Sequence, residues 1–157
     1  MSSAELLRHT VATLAYRGGK AVRGAPASFP GFQASEGTRT PGQILAHIND
    51  LLAWALHLVE GRHHFEKSTP GAWEADVAKF HGALERLDAR LASGIPLRCP
   101  AEKLFQGPIA DALTHVGQIA MLRRMSGAPM RGENYFKADI EAGRVGADQA
   151  PSRVEFD

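Results

Sequence analysis

The sequence predicts an all-α protein, an antiparallel four-helix bundle with a short C-terminal extension, in a single domain that spans residues 1–157. Four segments carry apolar residues at intervals of three and four, the spacing that places them on one face of a helix. Residues typical of helix ends separate these segments, and no stretch alternates apolar and polar residues as a half-buried strand does. Helices that each have one apolar face are expected to pack together as a bundle.

The first helix is expected to begin at the capping box formed by Ser2 and Glu5. The glycine pair that begins at Gly18 is expected to end or weaken it. Residues 24–40 follow, with two prolines and several glycines, and predict an irregular loop. This loop is longer than most connections in compact domains, which indicates a functional or mobile segment.

The second and third helices have clear boundaries. Thr40 supplies an N-cap hydroxyl, Pro41 occupies the first helical position, and the helix is expected to run to about Gly61. The third helix is expected between Pro70 and Gly94, because an apolar residue recurs at helical spacing throughout this segment. Both helices should bury one face.

The fourth long helix is expected to open at Pro108, since a Gly107-Pro108 pair should interrupt any helical turn that precedes it. It should end near Ser126, which a glycine follows. The tail beyond it mixes aromatic and charged residues and could form one short helix near residues 134–141.

Composition excludes several classes of protein. Eighteen Lys and Arg against 17 Asp and Glu give a net charge of +1, and the scattered basic residues argue against a nucleic-acid surface. Cys99 is the only cysteine, so an intramolecular disulfide and a cysteine-rich zinc site are excluded. Charged residues near the N-terminus interrupt any signal-like apolar run, and no segment has membrane-spanning length, so we expect a cytoplasmic protein.

His47 is the first candidate site residue. It shares one face of the second helix with Ile44 and Leu51, and an imidazole on an apolar face requires a polar partner. The fourth helix offers Asp111 and His115, which differ by only about 40° around the helix axis. A carboxylate and an imidazole so placed, with a histidine from a neighbouring helix, can hold one cation inside a bundle.

Two nitrogens and one oxygen suit a divalent transition metal such as zinc, nickel, manganese or iron better than magnesium or calcium. Three protein ligands would leave a coordination position open for water or for a substrate thiolate. The spacing also fits a metal-free bundle, in which His47 is a hydrogen-bonded core residue and Asp111 and His115 form an i,i+4 pair.

The segments TPGQILAHINDLLAWAL, ADALTHVGQIAMLRRMSG and GENYFKADIEAGRVG resemble the DinB-like family of bacterial four-helix bundles. By this resemblance, His47 and His115 match histidines of the second and fourth helices that coordinate a divalent metal, often nickel or zinc. The family pattern has a His-x-x-x-His pair on the fourth helix, whereas this chain has Asp111 at the first position. Aspartate can ligate a metal, but the change can alter metal preference, weaken the affinity or mark a site that has been lost.

The resemblance also implies a function, because relatives include metal-dependent transferases and isomerases that use bacillithiol, mycothiol or glutathione. We therefore expect a thiol-dependent S-transferase or isomerase whose partners are a small-molecule thiol and an electrophile. Nickel or zinc is the expected cofactor, with manganese or iron as alternatives, and family members commonly form homodimers. Two other readings stay open, namely a metal-free small-ligand-binding or stress-response module and a purely structural dimer.

Four further residues are candidates for a pocket beside the metal. Asp50 lies at the edge of the His47 face, and Trp54 could form the floor of the pocket or serve as a core aromatic. Gln118 follows His115 by one turn and could orient a ligand, or satisfy a buried polar contact. Tyr135 could fold over the pocket, or pack so as to tether the tail. No catalytic residue is assigned.

Overall fold

The computed structural model describes residues 1–156 and confirms the all-α bundle. Its helices are α1 (Ser3–Val22), α2 (Pro41–Val59), α3 (Trp73–Ala92), α4 (Ala101–Leu104) and α5 (Ala110–Met125), with a π-helical segment, Phe105–Ile109, that joins α4 to α5. Because this joint is continuous, the bundle has four helical rods. In the described part of the chain, no helix combines the length and apolar character that crossing a membrane requires.

Helices α2 and α3 run parallel. The Asn49 amide of α2 donates to the backbone carbonyl of Asp76 near the start of α3, at 2.9 Å. Arg90, near the end of α3, donates to the carbonyl of Val59 at the end of α2. The connection between them, residues 60–72, therefore returns along the length of the bundle. Extended chain rises about twice as far per residue as a helix, so this crossing segment is long enough to do so.

Of the three other pairs of neighbouring helices, two are antiparallel and one is parallel. Arg8 near the start of α1 pairs with Asp88 near the end of α3, at 2.8 Å, so these helices are antiparallel. Arg123 near the end of α5 donates to the carbonyl of Ala21 near the end of α1, so this pair is parallel. Helices α2 and α5 are antiparallel, since Trp54 late in α2 packs near Gly107 ahead of α5, whereas Ile44 early in α2 lines a cavity with Leu122 late in α5. The predicted antiparallel packing thus describes two of the four adjacent pairs.

Helix α1 continues through its glycine pair to Val22, so the predicted end near Gly18 is wrong. The capping box of Ser2 and Glu5 is present as predicted. A Cβ atom on Gly18 would lie 2.5 Å from Cζ of Phe80. The absence of a side chain at Gly18 allows α3 to approach α1 closely. This contact between helices, rather than the end of a helix, explains why a glycine occupies the position.

The predicted interruption at Gly107-Pro108 is also wrong, because helical backbone continues from α4 into α5. Pro108 lies within the π-helical segment, where the wider turn accommodates a residue that lacks an N–H group. Trp54 packs against this segment, 3.8 Å from where a Cβ on Gly107 would lie. The π turn thus adjoins the start of the helix that carries Asp111 and His115.

The tail does not form the short helix predicted near residues 134–141. It has a 3-10 turn, Tyr135–Lys137, and a two-residue antiparallel pair, β1 (Gly132–Glu133) with β2 (Glu155–Phe156). Glu133 is buried and accepts hydrogen bonds from Lys20 Nζ at 2.8 Å and from the hydroxyl of Tyr16 at 2.5 Å. These long-range polar contacts hold the tail against α1.

His81 of α3 is buried, and this burial is the main cause that lowers the pKa of its imidazole below 6.5. The positive charge of Arg23 lowers the pKa further. A hydrogen bond with the Val145 backbone and the negative charge of Glu85 act in the opposite direction. The unfolded chain therefore binds this proton at a higher pH than the folded chain does. We expect the free energy of unfolding to fall as the pH drops below 6.5, by at most about 1.4 kcal/mol per pH unit for one proton.

Urea denaturation of a His81→Gln variant between pH 7.5 and pH 5 tests this expectation, and the variant should have a smaller pH dependence than the unmodified protein. His9→Gln is the matched control, since His9 is exposed and its loss should leave the pH dependence unchanged. An equal slope in His81→Gln and in the unmodified protein would contradict the assignment.

Candidate metal centre

His47 of α2 meets Asp111 and His115 of α5 in the cleft between these two antiparallel helices. Each residue offers one ligand atom, and the three atoms lie within 4.8 Å of one another. His115 Nε2 is 3.3 Å from Asp111 Oδ1, and His47 Nε2 is 3.8 Å from Asp111 Oδ2. The three residues predicted from the sequence are thus brought together, and the group could hold a metal ion.

The site lies at the edge of the bundle, which corrects the prediction of a site in the interior. The side chains of His47, Asp111 and His115 are 23%, 47% and 12% exposed. The buried face of α5 runs through Ala112 and Val116, and each α5 ligand precedes one of these by a single residue. One residue turns about 100° around a helix, so the ligands point to the side of the core.

The spacing of the ligand atoms is close to, but wider than, that around a small divalent ion. Bonds of about 2.1 Å at tetrahedral angles separate ligand atoms by about 3.4 Å. The separation of 3.3 Å between His115 Nε2 and Asp111 Oδ1 matches this value. The separation of 3.8 Å from His47 Nε2 runs to the other oxygen, Oδ2, and the set with one ligand atom from each residue lies within 4.8 Å, so side-chain rotations must draw the three atoms together around an ion. The exposed side of Asp111 leaves room for a further ligand from solution.

Gln118 fixes the orientation of His115. Its Oε1 atom lies 2.7 Å from His115 Nδ1. Because an amide oxygen only accepts, Nδ1 is assigned as the donor, and Nε2 keeps its lone pair on the side that faces Asp111. Metal-ligating histidines generally carry such a partner on the other ring nitrogen. This contact is the one that the orienting role predicted for Gln118 would use, and that role stays a prediction.

Removal of this partner should weaken metal binding. We expect Gln118→Leu to lower the affinity for zinc by about 10- to 100-fold, the usual loss when a partner of this kind is removed. Gln118→Glu keeps an acceptor at the same position and serves as the matched control. Competition with a zinc-binding indicator dye measures both affinities, and wild-type affinity in Gln118→Leu would show that the contact has no orienting role.

The surroundings of His47 favour its neutral form. Burial lowers the pKa of His47 most, the charges of His115 and Arg39 add to this, and Asp111 and Asp50 oppose it. Since an imidazole coordinates a metal only when that nitrogen is unprotonated, the lowered pKa keeps His47 ready to bind at neutral pH.

Asp50 and Trp54 both contact the crossing segment. Asp50 is buried, and its two carboxylate oxygens accept from the backbone N–H of Ser68 at 3.0 Å and from its hydroxyl at 2.6 Å. Trp54 packs edge-on against Phe65, with ring centroids 5.9 Å apart, and Phe65 in turn lies 6.4 Å from the His47 ring. Asp50 still borders a cavity beside His47, whereas Trp54 borders a separate one that Cys99 also lines.

Tyr135 does not lie over the site. Its ring packs edge-on against Tyr16 of α1 at 6.3 Å between centroids, and the guanidinium of Arg17 lies 4.3 Å from its centroid. The β1–β2 pair next to it is bonded to α1, which keeps Tyr135 on that helix. The structure therefore supports the tethering alternative for Tyr135.

Two cavities flank the site. The larger, here called the apolar groove, has a volume of 580 Å³ and lies between α5, the start of α2 and the loop before it. Its lining residues are Ala34, Ser35, Thr38, Arg39, Ile44, His115, Gln118, Met121, Leu122 and Met125. The smaller, here called the polar cavity, has a volume of 290 Å³ and lies between α2 and the crossing segment. Its lining residues are Arg39, Gln43, His47, Asp50, Lys67, Ser68, Thr69 and Pro70.

Sequence reasoning did not identify Arg39 or Lys67, which border these cavities from the two loops. The unusual length of the segment that contains Arg39 was the one available signal. Lys67 could not be found from local patterns, because its position depends on the path of the crossing segment along α2.

The fold and the site define a class, a four-helix bundle with a candidate transition-metal site between two of its helices. Comparison of the chain with models of protein families, with curated proteins and with solved structures gives no match.

Proposed function

We propose that this chain is a divalent-metal-dependent enzyme of the DinB-like kind, which activates a low-molecular-weight thiol for S-transfer or isomerisation. The observation that carries the proposal is the meeting of His47, Asp111 and His115 within 4.8 Å, beside two cavities of different polarity. The orientation of His115 by Gln118 adds support, because it prepares one ring nitrogen for coordination.

The donor set favours nickel or zinc, with manganese or iron as alternatives. Two imidazoles suit all four metals, and the carboxylate makes the site harder than one built from three histidines. A bound ion of this kind supplies a thiolate or hydroxide nucleophile at neutral pH, because it lowers the pKa of the group that it coordinates.

The residues of this chain have separate roles in the proposed reaction. His47, Asp111 and His115 hold the metal, and the exposed edge of Asp111 admits the thiol. The side chains of Met121 and Leu122 offer an apolar surface for the body of the electrophile. In the transfer, the thiol proton passes to solvent, the sulfur bonds to the electrophilic carbon, and the leaving group takes the electron pair of the broken bond.

Elemental analysis tests the metal requirement. Purified protein should contain about one divalent transition metal ion per chain, and His47→Ala and Asp111→Ala should lose most of it. Glutathione and 1-chloro-2,4-dinitrobenzene then serve as a trial thiol and electrophile, with conjugation that a chelator abolishes and the metal restores. The same low metal content in all three proteins would refute the proposal.

A second candidate function, a metal-free module that binds a small apolar ligand, is favoured by the apolar groove. Its volume of 580 Å³ is within the usual range for ligand pockets, and Met121 and Met125 give it an adaptable lining. An apolar fluorescent dye separates the two functions. Saturable dye binding that Met121→Gln removes and His47→Ala leaves intact, in protein without metal, would favour this alternative.

A further inference from the structure

The lining of the polar cavity carries more positive than negative charge, since two cationic residues and one carboxylate border it. Arg39 enters it from the loop before α2, and Lys67 enters it from the crossing segment. Asp50 is the one carboxylate among its lining residues, and both of its oxygens already accept hydrogen bonds from Ser68. These hydrogen bonds hold the Asp50 side chain but leave its negative charge, so two positive charges and one negative charge give the lining a net charge of +1.

In the described part of the chain, Arg39 and Lys67 are among the cations of the bundle that make no ion pair. Arg8, Lys20 and Arg90 each pair with a carboxylate. No ion pair within residues 1–156 includes Arg39 or Lys67. Arg39 and Lys67 are exposed, and cations that border a concave site attract an anion from solution.

The cavity is also next to the candidate metal centre. His47 lines it, so a molecule in the cavity is within reach of the ligand atoms. Thr69 adds a hydroxyl to the same wall. An arginine guanidinium matches the two oxygens of a carboxylate, and a lysine ammonium adds a point charge. These are the groups that a carboxylate-bearing ligand requires.

We propose that the polar cavity binds the carboxylate of the thiol substrate, so that Arg39 and Lys67 select an acidic thiol and direct its sulfur to the metal beside His47. The apolar groove on the other side of the site then receives the electrophile. This inference rests on the proposed function, since it assigns the substrate class of the same site.

The test uses the full chain loaded with cobalt(II), because thiolate coordination to cobalt gives a charge-transfer absorption band that can be titrated. The two probes are 3-mercaptopropionate and 2-mercaptoethanol, which differ mainly in the carboxylate. In the double variant Arg39→Gln/Lys67→Gln we expect the preference for the acidic thiol over the neutral one to fall about tenfold. Lys103→Gln is the matched control, since Lys103 borders the separate cavity near Cys99 and should leave the preference unchanged.

The outcomes distinguish the two proposals. If cobalt and both thiols bind and the double variant keeps the preference of the unmodified protein, the assignment of the polar cavity is refuted while the metal proposal stands. If cobalt does not bind, or binds without a thiolate band for either probe, the proposed function fails and this inference fails with it. A preference that falls in the double variant and in high salt supports an anion site.

Discussion

Replacement of His115 by alanine is expected to weaken zinc or nickel binding by about a hundredfold or more. Loss of a metal ligand should lower the affinity at least as much as loss of Gln118, the residue that only orients that ligand. His115 is the least exposed of the three ligands, at 12%, and its orientation is fixed by Gln118. Its removal leaves His47 and Asp111, two ligands on different helices that no longer enclose an ion. Isothermal titration of metal-free protein measures the change.

Two variants control this experiment. His64→Ala removes an exposed histidine of the crossing segment and should leave the affinity unchanged. Asp111→His creates a His-x-x-x-His pair on α5 and should retain binding, with a preference shifted toward nickel and zinc over manganese, because a nitrogen donor replaces an oxygen donor. Equal affinities in His115→Ala and His64→Ala would contradict the proposed ligand set.

Replacement of Glu133 by alanine is expected to lower the free energy of unfolding by about 3 kcal/mol, the usual cost of breaking a buried ion pair from one side. Glu133 has a fully buried side chain that pairs with Lys20, whose side chain is 8% exposed. It also accepts from Tyr16, and burial, followed by this hydrogen bond, raises the pKa of Tyr16 to about 12. The variant leaves a buried ammonium and a buried hydroxyl without their main acceptor.

Chemical denaturation of Glu133→Ala and Glu155→Ala measures this effect. Glu155 also pairs with Lys20, at 3.1 Å, but it is 27% exposed, so its loss should cost much less than the loss of Glu133. The double variant Lys20→Met/Glu133→Leu should recover most of the loss, because it removes the buried charge together with its partner. Similar costs for the two single variants would mean that the Lys20–Glu133 pair does not anchor the tail.

Local signals predicted the parts of the fold that depend on local interactions. The N-cap residue Thr40 and the proline at the first helical position, Pro41, predicted the start of α2, and the structure has it. The end of α1 was missed because Gly18 serves a contact with Phe80, which lies on another helix. The break predicted at Pro108 was missed because a π turn can accommodate proline without ending the helix.

For the candidate site too, local spacing predicted some features, whereas others depend on the fold of the whole chain. Asp111 and His115 share one side of α5 by spacing alone, and the pattern on α2 singled out His47. Their position at the edge of the bundle follows from which face of α5 is buried, and the two cavities beside them depend on where Arg39 and the crossing segment lie. The path of the crossing segment follows from the parallel arrangement of α2 and α3, which is a property of the whole chain and has no local pattern.

X-ray absorption at the K-edge of the bound metal tests the central claim most directly, since it reports the atoms around the ion. We expect two imidazole rings and oxygen ligands at about 2.0–2.2 Å in the unmodified protein, and one imidazole in His47→Ala. A first coordination shell without histidine, or one that His47→Ala leaves unchanged, would contradict the ligand set of His47, Asp111 and His115.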